Sequence, residues 1–434
     1  MNPLSYAERL VNYVAEFPEI IFTFRREILD IISKQLRVVC ESSADDREIC
    51  YAILFAIQSS STLATLDTHQ LFIRHIHENI PQDITYPVER PTTSEDLVQN
   101  FVYFQQYVRT CTKGGDEGVP TLYGSMFSSV KKIKVYSKYG MAFVASNVFN
   151  SFHAVIKCTK TQEDTTIHEL AVGYALNCLR AQIPYFSFMY GGFYSSKLAT
   201  NATQCKRNPD AVAIPYTVQE FAYDAVEFEN FHWEVEELHE LLYSLFSQVA
   251  HALDVAQQAF KYMHFDLHGG NVLVRRSPGI DEHEKIQIKI IDYGTNALYV
   301  TDTMFLSCSS KPDPFPQTIK DLRTDPARYF VPTYDIFRYV VFTLCMLYDN
   351  YSCNAQVVAV IEAMYARCMG PFFSSSSSST STTVLQQALQ QRTFVSMYEA
   401  ESQDSTAILD VYLDELDVFQ VSMQEWLSHF RNYL

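Results

Sequence analysis

Apolar residues recur at three- and four-residue steps at Ile20, Ile21, Phe24, Ile28, Ile31 and Ile32, the spacing of one helical face. Shorter apolar stretches follow at 51–57 and 71–76, and Pro81, Pro87 and Pro91 interrupt them. Residues 1–120 are therefore expected to form a helical accessory region. Over 121–222 the texture changes to short β-branched and aromatic runs between turn residues. Val130–Tyr136, Met141–Ser146 and His153–Cys158 read as successive strands, and a helix over Thr166–Arg180 is closed by Pro184. Two further strands, Tyr185–Tyr190 and Ala211–Phe221, flank a polar loop containing Gly191 and Gly192. Five strands with one helix after the third make an α+β module. From 223 the pattern turns helical again, with Leu238, Leu241, Leu242, Leu245, Val249, Leu253 and Phe260 in one stripe. A short strand at Ile286–Ile291, an irregular stretch to about 332 and a helix at Tyr334–Tyr348 complete a unit ending near 370. Residues 371–434 read as a serine-rich loop over Ser374–Thr383 followed by amphipathic helices.

Composition narrows the class. Across 434 residues, 47% hydrophobic and 19% charged positions suit a globular chain with a real core. The balance of 33 basic against 50 acidic residues, a net charge of -17, repels phosphate backbones and argues against a nucleic-acid partner. The short basic cluster Lys131–Lys138 falls among the expected strands. The ten cysteines form no C-x-x-C pair, so they are expected to be free thiols in a reducing compartment. The N-terminal stretch lacks the basic start and apolar core of a signal peptide, and no apolar run approaches the roughly 20 residues that cross a bilayer. An intracellular chain without a membrane partner is expected.

The densest chemistry lies in His264-Phe265-Asp266-Leu267-His268-Gly269-Gly270-Asn271, followed by the apolar Val272-Leu273-Val274. An aspartate and an asparagine five apart on a tight loop can face one reaction centre, the carboxylate accepting a hydroxyl proton while the amide oxygen holds a metal ion. The strand ending at Ile291 then delivers Asp292-Tyr293-Gly294, a second carboxylate suited to Mg²⁺ that bridges nucleotide phosphates.

H-x-D-L-x-x-x-N, then a strand, then D-[FY]-G resembles the catalytic loop and metal-binding motif of the protein-kinase-like superfamily. The resemblance covers roughly 121–370. It implies a bilobal fold, with a five-stranded antiparallel N-lobe carrying one helix (121–222) and a mostly helical C-lobe (223–370), preceded here by the helical region 1–120. It implies Asp266 as catalytic base, Asn271 and Asp292 as metal ligands, and His264 as a holder of loop backbone. Ala154-Val155-Ile156-Lys157 looks like the family's strand lysine, which neutralises ATP phosphates, and Glu169 is the matching helix carboxylate. Gly140 falls where the last glycine of the phosphate loop would lie, with Val135 and Ser137 at the two earlier positions and Gly124 as a competing candidate. Backbone groups of Glu220 and Ala222 would bind adenine. Asp335 opens the helix after Pro332, where it could cap the helix; the resemblance implies that it holds the catalytic loop's backbone, and both roles are compatible.

The chain also departs from the pattern. His268 stands where protein kinases usually carry lysine, and no Ala-Pro-Glu follows Asp292. The stretch from Glu169 to Phe193 is similar to divergent kinase-like proteins of large DNA viruses. The resemblance implies an ATP- and Mg²⁺-dependent serine/threonine protein kinase whose partners are ATP and a protein substrate. A small-molecule phosphotransferase and a scaffold without catalysis remain as alternatives.

Overall fold

A computed structural model describes residues 86–112, 127–133, 140–147, 152–159, 163–195, 214–276, 286–300, 305–307, 325–374, 393–395, 398 and 419–432. The apolar repeat from Ile20 to Ile32, Gly124, Val135, Ser137 and the serine run after Ser374 lie outside them. The described residues are α+β, with antiparallel sheets and helices, and fall into two compact units. Residues 86–182, 187–223 and 298–307 belong to the first, and 183–186, 224–297 and 325–432 to the second.

In the first unit, helix α1 (Ser94–Thr112) starts from a reciprocal cap, because Thr93 Oγ1 accepts from Asp96 N while Asp96 Oδ2 accepts from Thr93 N. Strands β1 (Phe127–Lys132), β2 (Gly140–Asn147), β3 (His153–Thr159), β4 (Met189–Ser195) and β5 (Ile214–Glu220) form an antiparallel sheet in the order β1-β2-β3-β5-β4. Helix α2 (Glu163–Asn177) joins β3 to β4. Strand β3 alternates as its sequence demands, with Ala154, Ile156 and Cys158 buried and Val155 and Lys157 partly exposed. Helix α2 is buried on every side from Thr165 to Asn177, lying against the sheet and, through Tyr174, against Phe101 and Gln105 of α1. That explains why its sequence is weakly amphipathic.

Strand β4 runs over 189–195 rather than the expected 185–190, and Gly191 and Gly192 lie inside it rather than in a polar loop. Two constraints set this register. Asn177 binds both the N–H and the C=O of Met189 at 2.8 Å, which fixes where the strand begins. A Cβ on Gly191, whose φ is 149°, would come within 2.4 Å of Gln105 Nε2 and 2.7 Å of Phe104, so glycine here lets α1 lie directly on the strand. The first strand is also shifted, starting at Phe127 rather than Val130.

The second unit is built around α3 (Leu238–Phe260), in which every residue of the predicted leucine-rich stripe is buried. Strands β6 (Val226–Glu227), β7 (Val272–Arg276) and β8 (Ile286–Ile290) form a small antiparallel sheet, and Phe186 adds a parallel bridge to Ile290. Helices α4 (Tyr334–Tyr351), α5 (Ala355–Ser374) and α6 (Met423–Asn432) complete it. Trp426 of α6 is buried and donates to Cys368 O of α5 at 3.0 Å. Among the described residues no helix is long and apolar enough to cross a membrane.

Candidate functional site

In the first unit the chemistry gathers on β3, β5 and α2. Lys157 Nζ lies 2.5 Å from Glu169 Oε1, which also accepts from Gln219 Nε2 at 2.8 Å. The carboxylate side chain is 6% exposed and the lysine side chain 23%, so α2 aims a largely desolvated Glu169 at an ammonium that still meets solvent. Burying such a pair costs desolvation comparable to its attraction, so the pair is better understood as fixing the ammonium's direction than as a source of stability. Lys157→Met and Glu169→Gln are expected to be non-additive by about 1–3 kcal/mol in urea unfolding; additivity within experimental error would show that the two side chains do not hold each other.

Gly140 opens β2 opposite Thr159. At the other end of the sheet Glu220 turns inward. Its Oε2 accepts from Phe188 N at 3.1 Å and lies 3.8 Å from Arg180 Nη1, and its own N–H donates to Phe188 O at 2.7 Å. That N–H is therefore committed within the unit, so it is not the group of this segment that could serve the expected hydrogen-bonding role.

In the second unit the loop after α3 is held from several sides. The helix closes on Lys261 in the left-handed region, and Met263 pairs with Ala297. Phe265 is also left-handed, at φ 61°. That conformation costs a residue with a Cβ about 1–2 kcal/mol, so neighbours must hold it. Asp335, on the first turn of α4, accepts from His264 N at 2.6 Å and Phe265 N at 2.8 Å. The helix begins at Tyr334 with Thr333 at the N-cap position, so Asp335 is an anchor of the loop and not a cap. Burial pushes its carboxyl up to about 6, opposed by the two backbone N–H groups and by Arg338.

Asn271 Nδ2 donates to Asp266 O at 2.8 Å, which leaves the amide Oδ1 as the acceptor for other work. Asn271 O accepts from Ile291 N at 2.9 Å, and His264 Nε2 meets Ile291 O at 3.2 Å. The end of β8 is thus bound to the loop, bringing Asp292 (φ 67°, a conformation aspartate tolerates) next to Asn271's neighbours. One carboxylate and one amide oxygen suit Mg²⁺, which keeps waters and borrows phosphate oxygens rather than needing a full protein cage. No cluster of three or more His, Cys, Asp or Glu able to hold a metal occurs among the described residues.

His264 Nδ1 accepts from Asp266 N at 3.3 Å, so its proton sits on Nε2 facing Ile291 O. Burial lowers its pKa to about 4, partly offset by Ile291 O and Asp292. His268 is lowered as well, chiefly by burial. Its Nδ1 accepts from Gly270 N at 3.1 Å, and Nε2 stands 3.9 Å from Asp266 Oδ1. Between about pH 6.5 and 4 unfolded chains protonate His264 before folded ones do, so its contribution to stability is present above that window and lost as pH falls through it. Asp335, shifted upward, slopes the other way, so the test is a difference between two proteins. The stability advantage of wild type over His264→Asn is expected to shrink by on the order of 3 kcal/mol from pH 7 to pH 4 in urea titrations. A pH-independent gap would contradict it.

The structure thus brings Lys157 together with Glu169 in one unit, and Asp266, Asn271 and the strand end bearing Asp292 together in the other. Sequence reasoning missed Gln219 and Arg338. Arg338 Nη2 donates to Asp266 Oδ1 at 3.1 Å and Nη1 to Phe265 O. The one signal for Arg338 was a cation inside an otherwise apolar helical run, Ile336 to Leu344; Gln219 had none.

No protein-family model matches the chain. A stretch of 149 residues, 34% of the chain, is 26% identical to a protein of Invertebrate iridescent virus 3 described as "Probable kinase 098L". The matched stretch covers 25% of that viral protein's own length. The similarity suggests a kinase-like chain.

Proposed function

We propose that this chain is an ATP- and Mg²⁺-dependent phosphotransferase of the protein-kinase-like fold, transferring a γ-phosphoryl group to a serine or threonine hydroxyl of a protein. One observation carries the reading: Asp266 and Asn271 share a hydrogen-bonded loop that is stitched through Ile291 to the strand end bearing Asp292. Phosphoryl transfer asks a protein mainly for position and charge. Asp266 orients the acceptor hydroxyl and takes its proton. Lys157, aimed by Glu169, neutralises the α- and β-phosphates, and the oxygens of Asn271 and Asp292 hold the metal. Bound Mg²⁺ would offset charge developing on the phosphates. Glu220 O and the Ala222 backbone recognise the adenine edge, and Gly140 gives the phosphates access to backbone. The partial similarity to a viral protein described as a probable kinase supports the same class.

The test is a thermal-shift titration with Mg-ATP, followed by transfer from γ-labelled ATP to the chain itself, to generic protein substrates, and to a panel of sugars, cholines and aminoglycosides. Stabilisation by Mg-ATP with label on protein is expected. Label on a small molecule alone would move the assignment to small-molecule kinases, and absence of any Mg-ATP effect would end the phosphotransfer reading.

A further inference from the structure

Arg338 stands where helix α4 meets the loop that carries Asp266. The side chain is 9% exposed and faces both Asp266 and Asp335. Its guanidinium reaches two groups on that loop, donating from Nη2 to Asp266 Oδ1 at 3.1 Å and from Nη1 to the carbonyl of Phe265. The remaining face of the guanidinium lies over the Phe342 ring, 5.4 Å from its centroid, so both prongs are directed by packing. Three residues earlier on the same helical face, Asp335 takes the N–H groups of His264 and Phe265. One turn of α4 therefore holds the N–H and the C=O of Phe265 and the carboxylate that follows it.

We infer that Arg338 is a positioning residue for phosphoryl transfer: its two-pronged grip fixes the Asp266 carboxylate and the left-handed Phe265 peptide in the geometry that receives the acceptor hydroxyl. This rests on the phosphotransfer reading and adds a component to it. A guanidinium suits the task because it stays charged at every physiological pH and its planar fork fixes direction as well as distance. A lysine could supply the charge but not two divergent, coplanar donors. A loose phosphoryl transition state asks little of a base's strength and much of its position, so holding the carboxylate still is the larger gain. The sequence departure at His268 fits this arrangement: α4 supplies a cation within hydrogen-bond reach of Asp266, while His268 Nε2 is 3.9 Å away.

The experiment uses the full chain with Mg-ATP, reading label transferred to the chain itself and to water. Arg338→Met keeps the stem and removes the fork; its kcat is expected to fall about 100-fold, the scale for displacing a reacting group by an ångström, with KM for ATP changed by less than about threefold. Arg338→Lys should lie between, and added guanidinium should raise kcat of Arg338→Ala while leaving wild type unchanged. A folded Arg338→Met protein with wild-type kcat overturns the inference, as does a loss that appears wholly in KM. If Arg338→Met melts too low to assay, Arg338→Lys decides, because a kcat equal to wild type would show that the fork is dispensable. Wild-type protein that transfers no label to itself, to water or to any acceptor of the protein and small-molecule panel overturns the phosphotransfer reading and this inference with it; wild-type transfer with unimpaired variants overturns this inference alone.

Discussion

Asp266→Asn is expected to lower label transfer from Mg-ATP by about 10³-fold, within the range that a positioned general base contributes, while the melting temperature and the Mg-ATP thermal shift stay near those of wild type. The separation of the two readouts follows from the local bonding. Arg338 Nη2 reaches Asp266 Oδ1, and an asparagine oxygen can accept that bond in place of the carboxylate. Asn271 binds the backbone carbonyl at this position rather than the side chain, so its support of the loop survives. What the amide lacks is the capacity to take a proton from an attacking hydroxyl. The measurement is kcat and KM for ATP together with a urea transition. A variant retaining transfer within tenfold of wild type would remove Asp266 from the role of base, and a variant that fails to fold would show that the charge is structural.

The parts of this arrangement that were legible in the sequence are those whose cause is local. Alternation around Ala154–Cys158 reports a half-buried strand because each neighbour alternates faces, and the stripe from Leu238 to Phe260 reports a helix packed on one side. The loop from His264 to Asn271 was legible because much of its structure is bonded within itself or to the strand end that follows, through Asn271, His264 and Ile291. Features set by partners distant in sequence were not. Gly191 and Gly192 read as a loop because the glycine signal is the same for a turn and for a strand pressed against a helix, and the helix responsible begins some 97 positions earlier at Ser94 (191 − 94). Gln219 reads as one polar residue on a strand, and its partner Glu169 lies 50 positions away. Arg338 takes its partner from a loop 72 positions upstream. Asp335 was the instructive intermediate: its place near the start of a helix suggested a cap, the resemblance implied an anchor for the loop's backbone, and its bonds are those of the anchor, from His264 N and Phe265 N.

The second large effect belongs to Asp335. Asp335→Asn preserves size and removes the charge, and the loss should reach both stability and transfer. In wild type each carboxylate oxygen accepts one backbone N–H, Oδ2 from His264 and Oδ1 from Phe265. A neutral amide offers one acceptor and one donor, so one of those buried N–H groups would face an NH₂ and lose its partner. The residue is fully buried, and no water can take over the bond without the loop moving. The guanidinium of Arg338 would also lose a nearby anion that now opposes its desolvation. Taking one member from a buried charged network of this kind costs about 3–5 kcal/mol. The strained Phe265 peptide is the element that the lost bond releases, so displacement should concentrate at Asp266, the next residue along. Transfer is therefore expected to fall by about 100-fold even at temperatures where the variant remains folded, with Mg-ATP binding through Lys157 largely retained. Urea unfolding and labelled transfer on the same preparation test the two halves together. Normal stability with normal transfer would mean that the bonds from α4 do not hold the loop, and the view that one helix face fixes the reacting carboxylate would have to be given up.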